Sequence, residues 1–336
     1  MAGIKGNNQI ITTSRRGVLI GASLAAITPL PAAAAEPFWT ARYEARKGDV
    51  TLAMYRKRLH APRQGEPKLP VLFLVHGSSV SALPSFDLTV PGAGEYSLMN
   101  VFARYGFDVW TMDFEGYGKS TVTSGNSDIA SGVADLKAAV PIVERETELR
   151  KFHFMGESSG AIRAGAFAVA EPARVDRLVL EAFTYTGKGS PTLAKRGEQT
   201  EFYRTHNRRP RGEDMILSIF NRDKPGTSDP RVPAAIAKME MPNGDSVPTG
   251  TYLDMTANLP LVDPTKVQSP VLMVRGQYDG ISTEEDLLDF FTKLPTPDKQ
   301  YAVIPGAAHA VGMSLARADL WHVVHEFLTL PKTAQA

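Results

Sequence analysis

The sequence predicts an α/β fold: a mostly parallel sheet flanked by helices, with a long insertion before the last strands. Three observations predict it. Val71–Val75 is a continuous apolar run of strand length, as a strand buried on both faces requires, and Asp108–Met112 reads as a second. Such runs alternate with segments of helical pattern, the order expected when helices cover both faces of a parallel sheet. Finally, Gly156-Glu157-Ser158-Ser159-Gly160 separates the short apolar run Phe152–Met155 from the small-residue helical stretch Ala161–Ala170, which makes a sharp strand-to-helix turn.

The remaining elements follow in order. Val50–Arg56 alternates enough for a strand, and Arg63-Gln64-Gly65-Glu66-Pro67 is a polar turn after it. Leu98–Tyr105 reads as a helix stopped by Gly106. Ile129–Val143 reads as another, expected to kink at Pro141. Val175–Leu180 is the next strand. Much later come strand Val271–Val274, helix Glu284–Lys293, strand Gln300–Ile304 and helix Leu315–Leu328. The interval between Leu180 and Val271 holds Pro, Gly, many charges and two expected helices. It is too long for a plain connection. It reads as an inserted lid over residues 183–264, dividing a core made of residues 36–182 and 265–336. The chain shows no internal repeat.

Composition narrows the chemistry. The 336 residues include no cysteine, which excludes disulfides, thiolate metal sites and a cysteine nucleophile. Lys and Arg number 37 against 36 Asp and Glu, so the net charge of +1 gives no field to attract nucleic acid. The first 35 residues read as an export signal. Ser14-Arg15-Arg16-Gly17-Val18-Leu19 precedes a modest apolar run, Gly21–Ile27, and Ala32–Ala35 supplies small residues for cleavage before Glu36. The paired arginines resemble the twin-arginine signal of bacteria, which implies a folded precursor, the twin-arginine translocase as a partner, and a periplasmic or secreted product. An ordinary secretory signal is the alternative. The apolar run is too short, and too interrupted by proline, for stable membrane insertion.

The chemistry starts at Ser158. The turn of a nucleophile elbow is so tight that its flanking residues must be tiny, which accounts for Gly156 and Gly160, and it leaves the central hydroxyl exposed beside a helix amino end. A Gly/Ser-rich turn without function is the bland alternative. His76-Gly77-Ser78-Ser79 directly follows the Val71–Val75 strand, and with the elbow downstream the chain resembles the α/β-hydrolase fold superfamily. Asp113-Phe114-Glu115-Gly116-Tyr117-Gly118-Lys119-Ser120 resembles that superfamily's Asp-x-Arg-Gly-x-Gly-x-Ser turn, with Glu115 in place of arginine.

The resemblance implies roles for further residues. The backbone N–H groups of Ser78 and Ser159 form the oxyanion hole, and His76 buttresses its loop. His309, in Gly306-Ala307-Ala308-His309-Ala310 after the last strand, is the general base. Its orienting acid is Asp279, after strand Val271–Val274, or alternatively Glu181, at the end of the strand before the insertion. No cofactor is implied. His322 and His325 lie one helical turn apart, yet no third ligand accompanies them, so no metal is expected.

The implied reaction is hydrolysis of a small-molecule ester or lactone through an acyl-enzyme. A serine nucleophile argues against epoxide and halide chemistry. An amide or proline-iminopeptidase-like hydrolase is the alternative, and a non-catalytic ligand-binding relative is the rival of another class. Lys195, Arg196, Arg204, Arg208, Arg209 and Arg211 crowd the expected lid. They read either as a solvated helix pair or as recognition of a substrate carboxylate.

Overall fold

The computed structural model describes residues 38–331; the expected export signal lies outside them. The strands are β1 (Trp39–Lys47), β2 (Val50–Arg58), β3 (Val71–Val75), β4 (Asp108–Met112), β5 (Phe152–Glu157), β6 (Val175–Glu181), β7 (Arg208–Pro210), β8 (Ser246–Pro248), β9 (Val271–Gly276) and β10 (Lys299–Ile304). Eight of them form one sheet in the order β1-β2-β4-β3-β5-β6-β9-β10. From β4 to β10 every neighbouring pair is parallel, and only β1–β2 and β2–β4 are antiparallel. This is the mostly parallel sheet expected.

Alternation along β3 builds the two sides of the core. Phe73 and Val75 face the layer formed by α3 (Ile129–Thr147), α4 (Ser159–Ala170) and α10 (Glu284–Lys293), where Leu136, Phe167 and Phe290 are buried with them. Leu72 and Leu74 face α2 (Leu98–Arg104) and α11 (Arg317–Thr329), against Phe102, Val324 and Phe327. A strand apolar at every position is what a sheet covered on both faces demands.

Three expectations need correction. β1 was not anticipated, because its exposed face alternates charged residues with half-buried ones and leaves no apolar run. Helix α3 continues through Pro141 to Thr147 instead of ending at Val143. The interval after β6 contains more than two helices: α5 (Pro191–Gly197), α6 (Thr200–Thr205), α7 (Glu213–Asn221), α8 (Arg231–Glu240), α9 (Gly250–Leu253) and the antiparallel ribbon β7–β8. These pieces are short, so helical periodicity barely accumulates in any one of them. Ile216 and Phe220 of α7 and Val232 and Ile236 of α8 bury themselves against Leu88, Val90 and Tyr96, which seats this part of the insertion on the loop that follows β3.

Candidate active site

Steric constraint fixes the elbow. Ser158 has φ +56° and ψ −125°, a strained conformation for a residue with a side chain. The strain is held from several sides. The Ser158 N–H donates to the carbonyl of Glu181 at 2.9 Å. A Cβ on Gly156 would lie 2.3 Å from the carbonyl oxygen of Gly160, and one on Gly160 would lie 2.1 Å from that of Val75. Only glycine permits β5, α4 and the end of β3 to approach so closely.

The structure brings three of the candidate residues into one chain of hydrogen bonds. His309 Nε2 lies 2.9 Å from Ser158 Oγ, and His309 Nδ1 lies 2.9 and 3.0 Å from the two carboxylate oxygens of Asp279. Asp279 Oδ1 also accepts the N–H groups of Ile281 and Ser282, at 2.8 and 3.0 Å. Burial alone would push the Asp279 carboxyl up, but the attraction of His309 and these hydrogen bonds outweigh it and hold the group below its usual range. Gly276 makes room for this arrangement: a Cβ there would lie 2.1 Å from the carbonyl oxygen of Ala308.

Glu181 is placed differently. Its Oε1 accepts the N–H of Gly312 at 3.2 Å, and among the described residues no hydrogen bond joins it to His309. Burial, followed by the negative charge of Glu157, pushes its carboxyl well above the ordinary range. Glu157, the residue before the candidate nucleophile, is pushed up to about 7 by burial. Sequence reasoning assigned Glu157 nothing, although it directly precedes Ser158; in the structure both line the same cleft.

Ser78 and Ser159 lie together. Ser78 Oγ donates to Ser159 Oγ at 2.7 Å and accepts from Thr251 at 2.8 Å, while the Tyr117 hydroxyl donates to the Ser78 carbonyl at 3.0 Å. Tyr117 and Thr251 therefore fix the loop; the Asp113–Ser120 turn contains Tyr117 at a variable position, and no local sequence pattern marked Thr251. Among the described residues the backbone N–H groups of Ser78 and Ser159 donate to no protein acceptor. His76 is fully buried. Its Nδ1–H donates to the Gly77 carbonyl at 2.8 Å and its Nε2 accepts the Phe114 N–H at 3.3 Å. Burial, and then the Arg163 charge, hold its pKa down at about 3. Its ring is thus neutral and committed to the loop.

Asp113 ties the neighbouring turns together, accepting from Tyr55, from the N–H of Ala82 and from the N–H of Lys119 at 2.7, 2.9 and 2.9 Å. Glu115, standing where the superfamily turn has arginine, pairs with Lys47 at 2.6 Å. Among the described residues no cluster of three His, Asp or Glu side chains could hold a metal ion, and no helix is long and apolar enough to cross a membrane.

Ser158 and His309 open into a cleft whose apolar wall includes Ile219, Phe220, Ile236 and Met313. Arg196 and Arg222 reach the same cleft from the insertion. They also line a wider outer cavity with Lys195, Arg209, Tyr203 and Tyr252. The other basic residues of the insertion are engaged elsewhere. Arg204 pairs with Glu201 on the surface, Arg208 binds Ser246 and the Gly116 carbonyl, and Arg211 is buried against Glu240.

Known proteins share this architecture. A family model described as serine aminopeptidase, S33, matches residues 90–313. A 2-hydroxy-6-oxononadienedioate/2-hydroxy-6-oxononatrienedioate hydrolase of Pseudomonas putida is 32% identical over 191 residues, 54% of this chain and 58% of that relative, which is less than two thirds of its length. Among solved structures, a hydrolase from Pseudomonas aeruginosa aligns with a TM-score of 0.64 at 19% identity, over 86% of this chain and 98% of its own. The enol-lactonase from Burkholderia xenovorans aligns with a TM-score of 0.60 at 18% identity, over 86% of this chain and 100% of its own. At these identities the structural likeness speaks for the fold, and the fold is that of the α/β-hydrolases.

Proposed function

The chain belongs to the serine aminopeptidase S33 family of α/β-type hydrolases, and on that premise we propose that it cleaves a small carboxylic ester or lactone through an acyl-enzyme on Ser158. The observation that carries this reading is the hydrogen-bonded series from Ser158 Oγ through His309 to Asp279, at the floor of a cleft lined by apolar side chains.

In this mechanism His309 Nε2 takes the Ser158 proton as Oγ attacks the acyl carbon. Asp279 holds the proton-bearing Nδ1 and stabilises the imidazolium that forms. Negative charge collects on the acyl oxygen. The N–H groups of Ser78 and Ser159 would receive it, each such donor contributing about 3 kcal/mol to the transition state. His309 then returns the proton to the leaving alcohol. Water, deprotonated by the same ring, clears the acyl group and regenerates the hydroxyl.

Within the family an amide substrate is the competing reading. A free α-amino terminus is largely cationic near neutral pH. Arg196 and Arg222, which line the cleft beside Ser158, oppose its entry, and this favours an ester or lactone over an aminopeptidase substrate. We further read residues 183–264 as a lid over the cleft, and residues 1–35 as a twin-arginine export signal that delivers the folded enzyme to the periplasm or beyond. The basis for the latter is Arg15 and Arg16 ahead of a short apolar run.

A short-chain 4-nitrophenyl ester tests the central claim. The wild-type protein should release a burst of one nitrophenolate per chain, followed by turnover, and Ser158→Ala should lose both. Preferential cleavage of aminoacyl anilides would move the substrate to amides. Binding without any turnover of esters, lactones or anilides would make the protein a non-catalytic relative.

A further inference from the structure

Two arginines in the cleft carry guanidinium donors that no acceptor among the described residues fills. Arg196, on α5, is half-buried, and among the described residues no ion pair or hydrogen bond occupies its guanidinium. Burial, and then repulsion by Arg222, pull its pKa down to about 10. Arg222 follows α7. Its Nε lies 3.4 Å from Asp223 Oδ1, and its Nε and Nη2 are buried without a hydrogen bond. Among the described residues Asp223 pairs with Arg222 alone, while Lys195 and Arg209 add positive charge in the outer cavity. Desolvated like charges with open donors cost free energy unless an anion completes them.

The surroundings constrain that anion. Tyr252 presents its ring 5.4 Å from the Arg196 guanidinium and 4.7 Å from that of Arg209, and its hydroxyl is hydrogen-bonded to Ser79 at 2.8 Å. This backs the cationic wall with an aromatic face. Both Arg196 and Arg222 also line the cleft holding Ser158 and His309, so an anion bound to them belongs to the molecule whose acyl group sits at Ser158. A planar guanidinium fork matches the two oxygens of a carboxylate, and Asp223 offsets part of the positive charge at Arg222.

We propose that Arg196 and Arg222 form a carboxylate-binding subsite, and that the substrate is an ester or lactone bearing a free carboxylate, such as a half-ester of a dicarboxylic acid. This rests on the acyl-hydrolase reading above for its reaction, though not for its binding. The carboxylate is held by hydrogen bonds from the planar forks while the apolar wall at Ile219, Phe220 and Ile236 takes the connecting carbon chain.

The test compares the 4-nitrophenyl half-ester of adipic acid with its methyl-capped diester, which differ only in the free carboxylate. The wild-type kcat/KM should favour the half-ester by about tenfold or more, the discrimination expected of charge-assisted hydrogen bonds. Arg196→Gln and Arg222→Gln should bring the ratio toward one, and Arg196→Lys should restore part of it. Salt should reduce the wild-type ratio. Calorimetric binding of adipate against adipamide, in Ser158→Ala with and without Arg196→Gln, separates binding from chemistry. Arg196-dependent adipate binding with neither ester hydrolysed would keep the subsite and sink the ester reading. Equal hydrolysis of both esters with no adipate binding would overturn the subsite and leave the ester reading intact. Melting curves confirm that each variant is folded. An undiminished preference in both glutamine variants would also overturn the proposal.

Discussion

Asp279 faces His309 with both carboxylate oxygens, at 2.9 and 3.0 Å from Nδ1, while Glu181 gives its Oε1 to the Gly312 N–H at 3.2 Å. An ionised carboxylate on Nδ1 is what orients an imidazole toward a nucleophile. Asp279 is held below its usual range and Glu181 is pushed above it, so only Asp279 is charged in the way the role demands. Asp279→Asn should therefore lower turnover about ten-thousandfold at neutral pH. Glu181→Gln should retain most of the rate, since an amide oxygen can still accept from Gly312. Steady-state kinetics of the two variants on one ester checks this; the opposite ranking would pass the acid's role to Glu181.

The Glu157–Glu181 neighbourhood makes stability depend on pH. Glu157 rises from an ordinary 4.5 to about 7 in the folded chain, chiefly through burial. The folded state then holds this proton more tightly than the unfolded state does. Its contribution is fully present below the unfolded value and is lost as pH rises through the folded one. Glu157→Gln removes the titration. The melting temperature of the wild type relative to this variant should fall between about pH 4.5 and about pH 7, the window that linkage sets between the two values. Parallel curves across that window would show that Glu157 is not perturbed.

Much of this was legible in the sequence because it is local. Val71–Val75 is apolar at every position, and the spacing around Ser158 leaves little besides a tight turn. The elbow, His76-Gly77-Ser78-Ser79 and the Asp113–Ser120 turn carried the resemblance, which implied His309 and left the acid open between Asp279 and Glu181. What escaped was long-range or short. The partners of Ser78, Thr251 and Tyr117, lie far from it in the chain. The pieces of the insertion are too brief for periodicity to show. Arg196 and Arg211 look alike in sequence, but Arg211 is buried on Glu240 and Arg196 opens into the cleft. Only the fold separates them.

The elbow's glycines make a sharper test of packing than Ser158 does. A methyl group on Gly160 would sit 2.1 Å from the Val75 carbonyl oxygen and 2.6 Å from that of His76, both of them backbone atoms that cannot swing aside. Gly160→Ala should cost about 3 kcal/mol or more, as overpacking against rigid neighbours does. Activity should be lost together with stability. Chemical denaturation would register it, and a near-native midpoint would mean that the turn relaxes more easily than its geometry indicates.

Export can be tested apart from catalysis. Lysine keeps the charge of Arg15 and Arg16 but not the paired-arginine signal. Replacing both should leave the precursor in the cytoplasm, uncleaved and folded. Fractionation and the size of the product report it. Unchanged delivery of mature protein, particularly in cells lacking the twin-arginine translocase, would assign the segment to the general secretory route.

The insertion should differ in stability along its length, because one buried ion pair anchors part of it. Glu240, at the end of α8, pairs with Arg211 and accepts from the Ser81 N–H at 3.1 Å and the Ser81 hydroxyl at 2.5 Å. Both charged side chains are almost wholly buried. Removing one partner strands the other charge, so Glu240→Ala should destabilise the protein by about 3–5 kcal/mol. Ser81 directly precedes α1 (Ala82–Phe86) on the loop after β3, and the same carboxylate therefore ties α8 to the wall of the cleft. Helices α5 and α6 have no comparable anchor: of their side chains only Leu193 and Tyr203 are buried. Amide exchange should be fastest in α5 and α6, slower in α8 and slowest in β3. In Glu240→Ala the protection of α8 should fall toward that of α5. Equal protection of α5 and β3 in the wild type would remove the case for a lid that opens at Arg196.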